Sequence, residues 1–260
     1  MKLTKDEIVR MFNIHFVPYL VEGYEVPELN IDDIPQDPEN PMLRDITYNV
    51  DKKRKTDPYA GVKAAGQEIY MNLAEWLKSD QGVNVALFLA VLGAVGGREC
   101  MNGIMNALDG VAGEHELTEE DLQNLEVMFV KDPEGERYLR GSRVDSLFMS
   151  FYTTAADDQK ISADPLIELG SQLNQLSGAD YWEVPEGSGV DENPLEIAEM
   201  FNGRFEGVYD VYCRFPYERM LSVALAAQLA IKDCAGVLPK DVAMRYIREY
   251  GWRTAHYIGK

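Results

Sequence analysis

Residues 87–108 read LFLAVLGAVGGRECMNGIMNAL, and the reading of this stretch decides the fold. Four glycines and a run of oily residues lead into an Arg-Glu pair. Three structures have such a composition: a bilayer span, a phosphate-cradling loop, and a helix at the centre of a globule. A phosphate loop needs GxGxxG or GxxxxGK[ST] after a strand, and neither spacing nor a strong strand signal is present. The uninterrupted apolar run, 85–97, has 13 residues, short of the roughly 20 that a bilayer requires. The stretch therefore reads as a central helix. Its glycines cost about 1 kcal/mol each relative to alanine, which packing must offset. Ala86, Ala90, Gly93 and Gly97 fall at i, i+4, i+7 and i+11, a small-residue stripe that lets another helix approach closely. The expected partner is the preceding helix or the small, apolar segment 222–230, SVALAAQLA.

Outward from this helix, most of the chain has helical periodicity. Thr4-x-x-Glu7 is a capping box ahead of Ile8, Met11, Phe12, His15 and Phe16. Asp57-Pro58 opens a helix carrying Val62, Ala65, Ile69, Leu73 and Trp76; residues 79–82 break it, so it is expected to fold back and pack on the glycine helix. Residues 117–121, with acids in the first turn, Ser142, Asp164-Pro165 and Asn193-Pro194 mark further starts, and two helices close the chain, 217–234 and 239 to about 257. Residues 125–140 have a different period: apolar runs flank Asp132-Pro133-Glu134-Gly135, a β-hairpin pattern. The fold class is mainly α, about seven or eight helices packed as an orthogonal, bundle-like globule with one hairpin near 125–140.

The chain of 260 residues suits one mostly helical domain, 1–260. Two stretches depart from the pattern. Residues 23–56 are rich in acids and prolines and read as an extended arm or long loop; residues 177–193, with YWEVPEGSG, read as an irregular acidic loop. Against 44 acids stand 25 bases, a net charge of −19, which disfavours nucleic acid and anionic membrane as partners. Three scattered cysteines without CxxC suit a reducing compartment, and acids at Asp6 and Glu7 interrupt any signal peptide, so a cytoplasmic location is expected.

Candidate chemistry is sparse. Glu99, Asn102 and Asn106 share a helix face with Arg98 at its edge, a polar cluster able to bind a small ligand if Tyr138 and Arg140 of the hairpin wall it. His115 lies among carboxylates placed as helix-capping acids are, and His15 and His256 have no partner motif. No catalytic residue, metal site or cofactor is assigned.

Charge distribution is the sharper feature. From 161 to 203 there is no Lys or Arg, against nine acids. Within that window Tyr181, Trp182, Glu183, Glu186, Asp191 and Glu192 form a candidate partner-binding surface, with charge for steering and aromatics for anchoring. The last helix instead carries a basic-aromatic strip, Arg245, Arg248, Trp252 and His256. Three classes follow: a non-catalytic interaction protein that binds a basic partner, of inhibitor, immunity or adaptor type; a small-molecule binder or enzyme with a polar pocket beside the glycine helix; and a structural homodimer or larger homo-oligomer. Composition favours the first.

Overall fold

Thr4 starts the first helix of the computed structural model, which describes residues 3–38, 40–184, 187–201 and 203–259. The Glu7 N–H donates to its hydroxyl, and the Thr4 N–H donates to the Glu7 carboxylate at 2.8 Å, capping α1 (Lys5–Phe16) reciprocally. The arm that follows turns at its end into α2 (Met42–Lys53), where the sequence reading expected extended chain as far as 56. Asp45 in the first turn and Lys52 and Lys53 in the last complement the helix dipole, which propensity alone would not reveal among so many prolines.

Next come α3 (Ala60–Trp76), a two-residue hairpin of β1 (Lys78–Ser79) and β2 (Gly82–Val83), and the long α4 (Val85–Glu114). Then follow α5 (Glu119–Asn124), β3 (Met128–Lys131) and β4 (Arg137–Arg140), with Phe129 opposite Leu139 and Gly135 at φ +82° in the turn. The hairpin near 125–140 is therefore present. After α6 (Ser142–Ala156), α7 (Asp164–Leu173), α8 (Gly178–Tyr181), α9 (Pro194–Phe201), α10 (Glu206–Tyr212), α11 (Pro216–Asp233) and α12 (Lys240–His256), the chain ends on β5 (Tyr257–Gly259). This last strand pairs with β4 and makes the hairpin a three-stranded antiparallel sheet, β3-β4-β5. The fold is mainly α. Twelve α-helices are formed by the described residues, more than the seven or eight expected: α2 and α8 form inside the two stretches read as irregular, and the seven-residue α10 is a further short helix just before α11.

The centre of the molecule is α4, packed by α12, α11, α6, α9 and α1. By length and mean hydropathy (1.3) it matches a bilayer-crossing helix, and 72% of that window is buried by the rest of the chain. The stripe expectation holds in kind and fails in partner. Gly93 and Gly97 lie against Ile247 and Gly251 of α12, not against the preceding helix or α11. A Cβ on Gly97 would overlap the Gly251 carbonyl, and Thr254 Oγ1 donates across the same seam to the Ala94 carbonyl at 2.7 Å. Nor do α3 and α4 pack along their lengths: α11 lies between them and covers both. The β1–β2 turn fixes only where α4 begins; the apolar stripes of α11 decide what fills the space.

The arm is closed on itself by its own charges and tied to the body by Arg214 and Arg54. Arg214 Nη2 donates to the Pro27 carbonyl at 2.7 Å, Lys55 pairs with Glu28, and Arg44 pairs with Asp32 at 2.8 Å. Beneath it, Arg54 grips the buried Glu218 with two hydrogen bonds, 3.0 and 2.9 Å.

Candidate functional site

The four residues of the expected polar cluster divide among three environments. Glu99 is buried at 2% exposure on the inner side of α4. Asn102, one turn on, donates from Nδ2 to Glu99 Oε1 at 3.2 Å. Asn106 is exposed, because the helix turns that face to water beyond Asn102. Arg98 points away from the cluster and donates to the Tyr257 carbonyl at 3.0 Å, tying α4 to the start of β5. The hairpin residues do not wall this cluster. Tyr138 is buried and donates its hydroxyl to Glu136, while Arg140 lies over the Tyr138 ring and bonds to Asn174.

What joins Glu99 comes instead from more than a hundred residues downstream. Its neighbours in the electrostatic field are Arg219 at the start of α11 and Glu206 and Tyr209 on α10. Arg219 lies 5.0 Å over the Tyr209 ring and pairs with Glu206 at 3.0 Å. Neither Glu99 Oε2 nor the Tyr209 hydroxyl has a hydrogen-bond partner among the described residues, although both are buried. Burial pushes the Glu99 carboxyl up to about 7, with Arg219 and the Asn102 bond opposing it. Burial likewise raises Tyr209 well above the usual phenol range, so it stays a hydroxyl. The arrangement holds one proton that exchanges near neutrality, beside an unspent hydroxyl. An acid in an oily helix was a legible signal of a buried polar group; Tyr209 and Arg219 had none, since nothing in local spacing links α10 to α4.

The second candidate surface changes more. Tyr181 and Trp182 turn inward, at 2% and 8% exposure, and cannot anchor a partner. They form a small second core with Tyr138, Leu169 and Leu173, where the Trp182 ring meets Tyr257 edge-on at 5.1 Å. The large apolar rings find more contact under the loop than any solvent position offers. Glu183 and Asp191 are exposed, Glu192 is half-buried, and Glu186 lies outside the described residues.

The exposed large apolar residues of the window are others: Ile167 at 63%, Met200 at 52% and Leu176 at 40%. Ile167 shares an outer face of α7 with Asp164 and Glu168, and Met200 shares one of α9 with Glu196 and Glu199. None of the described acids between 161 and 203 forms an ion pair with a described Lys or Arg, whereas Asp32, Glu28 and Asp51 of the arm region all do.

The basic-aromatic strip of α12 is not one continuous surface. Arg248 pairs with Glu249, Trp252 packs edge-on against Phe148 at 5.5 Å, and the buried His256 meets Asp145 at 3.0 Å. Among the described residues no group of three or more His, Cys, Asp or Glu is placed to hold a metal ion. Compared with protein-family models, with curated proteins and with solved structures, the chain matches none.

Proposed function

We propose that this chain is a non-catalytic interaction protein of a reducing cytoplasm that holds a basic partner against the outer faces of α7 and α9. The observation that carries the reading is the charge imbalance of the 161–203 window. Its described acids form no ion pair with a described Lys or Arg, while three acids of the arm region, Glu28, Asp32 and Asp51, are paired with the molecule's own cations. Unpaired acids draw a cationic surface in, and a lone apolar side chain between them, Ile167 or Met200, supplies the contact that charge alone does not. Tyr181 and Trp182 support this surface from beneath instead of touching the partner.

The test is binding of a labelled helical peptide of alternating Lys and Leu composition, followed by anisotropy at low and moderate salt. Affinity is expected to fall about tenfold or more with salt. Glu168→Lys with Glu199→Lys is expected to abolish most of the binding. Glu22→Lys with Glu25→Lys, which alters net charge equally but lies on the arm, is expected to leave it nearly intact. Equal losses in the two pairs would mean that the whole −19 charge attracts the peptide and that no surface is specialised.

A second reading has its own observation. The unpartnered oxygens of Glu99 and Tyr209 suit a small polar ligand or ordered water taken up with a proton beside the glycine helix. Ligand-dependent protection that disappears in Glu99→Gln would move the functional centre there.

A further inference from the structure

An apolar cavity of about 170 Å³ opens where α3, the β1–β2 hairpin, the start of α4 and the end of α11 meet. Val85, Phe88, Leu89 and Ala230 line it, and Val83 and Val237 stand beside them, Val237 being 79% exposed. Val83 and Val237 thus carry the apolar lining out to the surface.

The cavity has a single charged group among its lining residues, Asp233. The Tyr70 hydroxyl donates to its Oδ2 at 2.5 Å, leaving Oδ1 without a hydrogen bond among the described residues. That bond, with burial second, pushes the Tyr70 phenol up to about 12, so Tyr70 remains a donor at neutral pH. Tyr70 and Phe88 meet edge-to-face with ring centroids 5.6 Å apart.

These features select a ligand class by exclusion. A carboxylate or phosphate would meet Asp233 and no lining cation. A neutral hydrocarbon would fill the hollow and leave Asp233, exposed at its rim, without a cationic partner. An ammonium group with an apolar tail satisfies both halves: charge on Oδ1, tail on the aromatic and aliphatic walls. The carbonyl end of α11, which finishes at Asp233, adds partial negative charge on the same side. The opposing amino end of α4 is partly satisfied by its own cap, the Leu87 N–H donating to Asn84 Oδ1 at 3.1 Å.

We propose that this cavity binds a small primary amine with an aryl or branched alkyl tail, the ammonium held by Asp233 beside Tyr70 and the tail lying over Phe88 and Leu89 under Val237. A volume of about 170 Å³ is that of roughly five to six water molecules, which limits the tail to about one phenyl ring.

The experiment titrates the full chain with 2-phenylethylamine, with its neutral counterpart 2-phenylethanol, and with 3-phenylpropanoate. Calorimetry reads affinity and ¹⁵N-resolved NMR reads location. The amine is expected to bind saturably, about tenfold tighter than the alcohol, with shifts centred on Tyr70, Phe88 and Val237 and no response to the carboxylate. Asp233→Asn is expected to remove that tenfold advantage while leaving the alcohol within about twofold. Val237→Lys, at an exposed position that cannot perturb the core, is expected to weaken the amine similarly. Four results would each overturn the proposal: equal affinity for amine and alcohol, amine shifts spread along α7 and α9, indifference to both substitutions, or no saturation below about 20 mM.

Discussion

A carboxyl group at position 99 is asked to live without water. In an unfolded chain it loses its proton near 4.5; inside the fold burial raises that to about 7. Between those values the folded state binds the proton more tightly than the unfolded state, so stability is present at the acid side and is lost as pH rises through the folded value. The shift of about 2.5 units corresponds to roughly 3 kcal/mol lost by pH 8. Glu99→Gln keeps the shape and the Asn102 neighbour but carries no titrating proton. In urea denaturation it is expected to match the parent near pH 5 and exceed it at pH 8 by about 2–3 kcal/mol. A gap that does not change with pH would mean that the carboxylate is solvated in the fold. At this scale the sequence marked Glu99 and Asn102 as neighbours correctly, because one helical turn separates them. It could not say that Asn106 reaches water while Glu99 does not, since both lie on the same helix face and only packing separates them.

Between elements, the α4–α12 seam decides what the glycines are for. In an isolated helix, Gly97→Ala would stabilise by about 1 kcal/mol. In the folded protein the added carbon meets the Gly251 carbonyl and the Thr254 hydroxyl, so the substitution is expected to destabilise by about 1–3 kcal/mol. Thermal unfolding of the protein and circular dichroism of a peptide spanning α4 should therefore move in opposite directions. If both move up, the two helices are not in backbone contact. The stripe of small residues was legible, and so was the close approach it implies. Its partner was not, because α11 and α12 both offer small residues and sequence carries no measure of which one lies nearer. The same limit hid the strand pairing of β4 with β5, two segments more than a hundred residues apart.

Across the whole molecule, charge is distributed unevenly. Several bases are committed to internal pairs, from Arg54 with Glu218 to Lys232 with Asp157, while the described acids of the 161–203 window form no ion pair with a described Lys or Arg. Self-repulsion among such acids lowers stability until salt screens it. Raising sodium chloride from about 20 mM to about 500 mM is expected to increase Tm by several degrees. Replacing Glu168 and Glu199 by Gln is expected to reduce that increase. A fall in Tm with salt would show that the internal ion pairs outweigh the repulsion. Here the sequence located the acidic window without ambiguity and misjudged its aromatics, since Tyr181 and Trp182 are adjacent to acids in the chain yet bury themselves against α7 and the sheet.

What the sequence by itself determined is local. Capping boxes at Thr4 and Thr118, the Pro/Gly turn of the β3–β4 hairpin, and the apolar periodicity of the long helices follow from contacts within a few residues, where spacing and side-chain chemistry set the outcome. The −19 charge and its gap in bases are likewise written in the chain. Only the tertiary structure decided which faces meet: α12 on the glycines, α11 between α3 and α4, Tyr209 and Arg219 around Glu99, Asp233 beside an apolar hollow. The reason is that burial is a property of pairs of surfaces. A small or apolar side chain records that it will be covered, and the identity of its cover is settled by the combined fit of every other element competing for the same core.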